Sequence, residues 1–265
     1  MQEAIKSFIQ SKWESSERDR FPGPQPVSIE RRNIGTLHKN RYLVCPKTDG
    51  TRHFLVCFTF ESKKICALVN RSFAFALYPL TVPRDTLLDG EFLNNEFVIH
   101  DAVCAAGNDL RSKNLLERLD HARALCKVIL PLTNLKVFVK AMYPMGDLPK
   151  ITLDPDVTDG LIFTPIDEPI RMGTHNTLFK WKPLEKITID FYLDPAKNLK
   201  IQEFIVESNF EGSPETNVIV ECFLGSDKKW HLVKIRRDKS HPNNKRTFDR
   251  TLKNIRENIL FSDFI

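Results

Sequence analysis

The chain has 265 residues, of which 42% are hydrophobic and 28% charged, enough for one large domain or two modest ones with separate cores. No apolar run is long enough to cross a membrane, and residues 1–20 lack the apolar stretch and small-residue site of a secretion signal, so an intracellular protein is expected. A net charge of +5 is too slight to announce nucleic acid by itself, although the run from Lys234 to Lys253 holds eight Lys or Arg and two Asp.

In chain order, Ile5, Phe8, Ile9 and Trp13 share one face of an amphipathic N-terminal helix. The proline-rich FPGPQPVSIERRN, residues 21–33, reads as an extended, irregular lead-in. Strand-like runs follow at Tyr42–Val44, His53–Phe60, Ile65–Asn70 and Glu96–His100. Residues 112–129 carry apolar side chains at helical spacing, and strands resume at Leu135–Lys140 and Leu161–Thr164. Beyond Pro183 the texture changes to four compact strands, Ile187–Leu193, Ile201–Val206, Val218–Leu224 and Trp230–Ile235, closed by a helix over Phe248–Leu260. Two domains are expected, 1–184 and 185–265, the second a small barrel or sandwich. The six cysteines, Cys45, Cys57, Cys66, Cys104, Cys126 and Cys222, form no C-x-x-C pair and read as buried free thiols, not a zinc site or disulfide framework.

Chemistry gathers at Lys47-Thr48-Asp49-Gly50-Thr51-Arg52, a K-x-D-G-x-R motif in a turn between strands. Lys47 offers an amine, Gly50 permits a tight bend or close approach to a ligand, and Arg52 offers a planar fork for phosphate or carboxylate. A charged surface hairpin would use the same residues. Further along come Asp89-Gly90-Glu91, read as a second D-G turn, and Phe97-Val98-Ile99-His100-Asp101, a strand ending in a carboxylate. Asp159-Gly160-Leu161-Ile162-Phe163 is a third D-G turn, this one opening a strand. Leu178-Phe179-Lys180-Trp181-Lys182-Pro183 puts two lysines on one strand face, and Arg236-Arg237-Asp238-Lys239 with Pro242-Asn243 falls in the basic run.

Taken singly each motif has an ordinary reading; in this order they resemble the covalent nucleotidyltransferase superfamily of mRNA capping guanylyltransferases and polynucleotide ligases. FPGPQPVS, LFKWKP and RRDKSHPN are closer to the capping branch, and the resemblance covers roughly residues 20–260. It implies an α+β nucleotidyltransferase domain with antiparallel sheets and helices, followed by a small OB-fold barrel with a C-terminal helix. It also implies an activity: GTP donates GMP to Lys47 with loss of pyrophosphate, and the GMP passes to 5′-diphosphate RNA to form the cap. A free lysine amine has a pKa of about 10.4, so such a site must favour the uncharged form, and nearby cations such as Lys180, Lys182 and a divalent metal do so.

By the same resemblance, Arg52 and Arg71 hold ribose and phosphates, with Asp49 and Gly50 in the nucleotide-binding turn. Glu91 contacts the ribose or a metal-bound water, and Asp159 positions Mg²⁺ or Mn²⁺. Lys180 and Lys182 neutralise charge on the α-phosphate, while Arg236, Asp238 and Lys239 orient the β- and γ-phosphates through a domain closure. Lys140 falls where family members place a lysine that donates to guanine O6. His100 stands where capping enzymes usually carry Phe or Tyr to stack on guanine, and reads equally as a core histidine bonded to backbone.

No E-x-E pair, C-x₅-R or AdoMet-binding stretch is found, so RNA triphosphatase and cap methyltransferase activities are expected in other chains or in parts of a longer parent. Salt-sensitive contacts to RNA phosphates, a nuclear site (cytoplasmic for a viral enzyme) and an open question of tethering to RNA polymerase complete the expectation. Two readings compete with it: an ATP-dependent ligase forming Lys47–AMP, and a non-catalytic RNA- or polymerase-binding protein of the same fold.

Overall fold

The computed structural model describes residues 1–17, 19–82, 85–131, 135–154 and 157–265. The chain opens on helix α1 (Gln2–Trp13), followed by strand β1 (Gln25–Ser28) and helix α2 (Arg31–Lys39). Next come β2 (Tyr42–Thr48), β3 (Thr51–Phe60), β4 (Lys63–Asn70), β5 (Phe75–Leu77), β6 (Leu80–Thr81), β7 (Thr86–Leu93), β8 (Glu96–Ala105) and β9 (Asn108–Asp109). Helix α3 (Leu115–Cys126) precedes β10 (Leu130–Pro131), β11 (Lys136–Val139), β12 (Tyr143–Pro144), β13 (Thr158–Pro165) and β14 (Thr174–Trp181). The last elements are β15 (Thr188–Leu193), β16 (Leu199–Ile201), β17 (Phe204–Glu207), β18 (Val218–Leu224), β19 (Trp230–Ile235) and helix α4 (Lys245–Glu257).

Two units result, Met1–Val27 with Leu37–Lys180, and Ser28–Thr36 with Trp181–Ile265. The division at 180/181 falls four residues before the boundary drawn from composition, and residues 28–36 join the later unit.

In the first unit, one sheet runs β11-β8-β7-β3-β4-β5, with β9 on β8. Its central strands are apolar at nearly every position because both faces are covered. Leu55, Cys57, Cys66 and Leu68 pack with Ala122 and Leu125 of α3 on one face. Phe54, Val56, Ala67 and Val69 pack with Ile5, Phe8, Ile9 and Trp13 of α1 on the other. Helix α3 starts at a capping box in which the Asn114 side chain accepts from Glu117 N and Glu117 reaches back to Asn114 N. The other sheet runs β1-β14-β13-β2-β12. All six cysteines are free, and all but Cys126 are buried.

The second unit is built on one antiparallel sheet in the order β17-β16-β15-β18-β19. Among the described residues no pairing joins β19 to β17, and the five antiparallel strands followed by a helix agree with the OB-type domain expected from the sequence. Helix α4 lays Phe248, Leu252 and Ile255 on the core that holds Phe191, Leu199, Val220 and Trp230. Asn254 Nδ2 donates to Ile29 O at 2.7 Å and Lys253 pairs with Glu30, which is why residues 28–36 belong with this unit. Trp181 is buried, and its indole N–H donates to Ile259 O at 2.8 Å.

Candidate active site

Strand pairing brings the separate motifs of the first unit together. Lys47 and Thr48 end β2, Arg52 begins β3, and only Asp49-Gly50 form the turn between them. A Cβ on Gly50 would stand 2.7 Å from Glu91 Cγ and 2.9 Å from Phe92 O, so the absent side chain is what lets the turn lie against β7.

Asp89-Gly90 is not a turn, contrary to the sequence reading. Both residues lie within β7, with a register shift against β8 between them. The apolar residues on either side are one continuous strand, and the bulge re-aims its carboxylates. Asp159-Gly160 likewise fall inside β13, where pairing with β2 shifts between Thr158 and Leu161. This irregularity sets Asp159 beside the K-x-D-G-x-R motif: Lys47 Nζ lies 2.8 Å from Asp159 Oδ1.

A cavity of about 940 Å³ opens in this unit, of the size that takes a nucleotide. Lys47, Gly50, Arg52, Arg71, Glu91, His100, Lys140 and Lys180 all line it. Asp159 reaches the site through Lys47, whereas Asp49 is exposed and does not line the cavity. Lys182, one residue past the end of β14, belongs to the second unit, as do Arg236, Asp238 and Lys239.

Asp89 anchors one wall. It is fully buried, pairs with the Arg52 guanidinium (Nε–Oδ1 2.9 Å), and takes His100 Nε2 at 3.1 Å. Burial pushes its pKa up, but the Arg52 and His100 charges and hydrogen bonds outweigh burial and hold it well below the usual carboxylate range. His100 is therefore not a core histidine bonded to backbone: its ring lines the cavity with one nitrogen tied to a carboxylate. Arg52 also donates to Pro24 O and covers the Phe21 ring at 5.6 Å, and Arg71 donates to Gln25 Oε1 at 3.0 Å. The proline-rich lead-in thus supports both arginines. Burial, then the neighbouring Arg52 charge, lowers the Arg71 pKa.

Lys140, also lining the cavity, is buried and donates to Thr48 Oγ1 at 2.9 Å. The Thr48 hydroxyl donates to Glu91, whose Oε2 is 3.7 Å from Lys140 Nζ. Asp89 and Thr48 are the site residues that sequence reasoning missed. The first was taken for turn chemistry, and the second stands at the unspecified position of its motif.

Within the second unit, Arg236 is held by three carboxylates. It clasps Asp238 at 2.9 and 2.7 Å, and its Nη1 lies 3.0 Å from Asp190 and 3.2 Å from Glu221. The Asp238 hydrogen bonds raise the Arg236 pKa and hold the Asp238 carboxyl far below its ordinary value. Lys239 pairs with Asp190 as well.

Among the described residues, no group of three or more His, Cys, Asp or Glu stands ready to hold a metal ion. The carboxylates of Asp159 and Glu91 offer oxygen donors only. Oxygen is the donor type that a hard divalent ion takes.

A lysine amine at a strand end, in a nucleotide-sized cavity lined with cations and carboxylates, is a layout suited to a nucleotidyltransferase. Comparison with known proteins narrows it further. The mRNA capping enzyme catalytic domain matches residues 1–184, and the mRNA capping enzyme C-terminal domain matches residues 174–265. The chain belongs to the mRNA capping enzyme family and is a guanylyltransferase. It is 27% identical to the mRNA-capping enzyme subunit alpha of Schizosaccharomyces pombe, over 93% of this chain and 79% of that protein. It is 31% identical to the subunit alpha of Saccharomyces cerevisiae over 65% of the chain and 48% of that protein. Identity to the mRNA-capping enzyme of Danio rerio is 26%, over 88% of the chain and 46% of that protein. Among solved structures, a Lig E DNA ligase aligns with a TM-score of 0.43 at 14% identity, over 82% of this chain and 99% of that one. No helix among the described residues is long and apolar enough to cross a membrane.

Proposed function

We propose that Lys47 is the nucleophile that takes GMP from GTP as a lysyl phosphoramidate and yields it to the 5′-diphosphate end of an RNA. The observation that carries this reading is the Lys47 amine 2.8 Å from Asp159, in a cavity that Arg52, Arg71, Glu91, Lys140 and Lys180 also line. The amine bonds to the α-phosphorus, the bond to the leaving pyrophosphate breaks, and the ammonium proton must depart before attack. Arg52 and Arg71 bind ribose and phosphates, Glu91 the ribose, and Lys180 the α-phosphate charge as it builds. Lys140 donates to guanine O6, where adenine presents an amine and donor would meet donor. His100 stacks on the base. Lys182, Arg236, Asp238 and Lys239 serve the phosphates, with the Arg236 and Lys239 ion pairs exchanged for phosphate oxygens.

Asp159 and Glu91 would hold Mg²⁺ or Mn²⁺, which when bound neutralises phosphate charge. The acceptor RNA is held chiefly through phosphates, so its binding weakens with salt. The name subunit alpha, borne by the fungal relatives, supports a partner subunit, and RNA triphosphatase and methyltransferase activities are assigned here to other chains. A nuclear site, or a cytoplasmic one for a viral enzyme, belongs to the same reading, with tethering to RNA polymerase left open.

The test is label transfer. With a divalent cation, GTP labelled at the α-phosphate should leave a band on a denaturing gel that is alkali-stable, acid-labile and lost in Lys47→Ala. A band with ATP alone would make the protein a ligase, and no band from folded protein would make it a binding module. The pure chain should release no γ-phosphate from triphosphate RNA.

A further inference from the structure

We propose that Thr48 is a positioning residue for nucleotide choice: its hydroxyl sets Lys140 and Glu91 at a fixed spacing, so that base and ribose are read as one unit. This rests on the guanylyltransferase reading above and on Lys140 as the residue that meets guanine O6.

The hydrogen bonds can run in one direction only. An ammonium has donors and no acceptor, and an ionised carboxylate accepts only. A single hydroxyl between them must accept from Lys140 and donate to Glu91. Lys140 Nζ lies 2.9 Å from Thr48 Oγ1 and 3.7 Å from Glu91 Oε2, so the hydroxyl bridges two charges that would otherwise close on each other. Both charged groups line the cavity; Thr48 does not. Lys140 is tied at its other end too, where its backbone N–H donates to Ile99 O at 2.7 Å. The bridging residue adjoins the nucleophile in sequence, so Lys47-Thr48 carries both the attacking amine and the tie that aligns the recognition groups.

Removing the hydroxyl while keeping the shape, as in Thr48→Val, leaves Lys140 and Glu91 to collapse into a direct ion pair that draws the ammonium from the base. Thr48→Ser keeps the bridge. The experiment measures kcat and KM for lysyl-nucleotide formation by the full chain with GTP and with 2-aminopurine riboside triphosphate, which lacks the C6 oxygen and the N1 proton. Thr48→Val should lower the preference for GTP about tenfold, the scale of one charge-assisted hydrogen bond. The loss should appear in KM for GTP, with the analogue little changed and Thr48→Ser close to wild type. Equal losses on both substrates, an unchanged Thr48→Val, or a Thr48→Ser as poor as Thr48→Val would overturn the proposal. A wild-type chain that forms no adduct would instead overturn the guanylyltransferase reading itself.

Discussion

The Lys47 amine and the Asp159 carboxylate form an ion pair at 2.8 Å, drawn together by the irregular pairing of β13 with β2. An ammonium cannot attack, so the amine must give up its proton before it reacts. The pair holds the amine in place until substrate arrives, and it must open before the new bond forms. Lys47→Ala and Lys47→Arg should both abolish the adduct, since a guanidinium stays charged at any working pH. Asp159→Asn should fold normally and slow adduct formation by about a hundredfold, in the range of other preorganised electrostatic contacts. Single-turnover labelling checks both.

Asp89 joins Arg52 and His100 at the cavity wall, and its ionisation is linked to stability. Its folded pKa is depressed, so its contribution is fully present above the ordinary carboxylate range and fades as pH falls toward the depressed value. Asp89→Asn should therefore destabilise the protein at neutral pH by about 3 kcal/mol, because Arg52 loses its buried counter-charge. The gap from wild type should narrow in acid. Denaturant titrations at pH 7 and below pH ~4 measure it.

Arg236 serves as a hub for Asp190, Glu221 and Asp238 within the second unit. If it also orients the departing pyrophosphate, Arg236→Ala should slow adduct formation from GTP and spare transfer of GMP from preformed adduct to RNA. The same change leaves the buried Asp190 with Lys239 as its remaining cation and should lower stability by about 2 kcal/mol, the scale of one hydrogen bond to a charged group. Equal slowing of both half-reactions would remove Arg236 from the pyrophosphate step.

Much of this was legible before any coordinates. Helix α1 carried its buried face at regular spacing, and the lysine, arginine and carboxylate motifs announced the site because this chemistry tolerates few other residue types. Helix α2 was not legible: it buries only Leu37, contains Gly35, and shows no apolar stripe. Asp89 was misread because an Asp-Gly pair signals a turn locally, and only pairing with β3 and β8 makes it a strand bulge. The partners of Arg236 lie 15 and 46 residues away on β18 and β15, a separation that no local pattern encodes.

Gly50 links the turn to the recognition wall and yields the last prediction. A methyl group there would meet Glu91 Cγ at 2.7 Å and Phe92 O at 2.9 Å, contacts closer than packed carbons tolerate. Phe92 O is backbone and cannot swing aside, so the turn must shift slightly, while the Glu91 side chain gives way and with it the Thr48 hydroxyl that bonds to it. Gly50→Ala should thus raise KM for GTP about tenfold, the loss of roughly one charged hydrogen bond, while the core around Phe54 and Leu55 stays intact. The useful control is 2′-deoxyGTP, whose missing hydroxyl removes what Glu91 is proposed to hold. If Gly50→Ala acts by displacing Glu91, it should weaken GTP and leave 2′-deoxyGTP nearly unchanged. A matching loss on both would place the damage in the Lys47 turn.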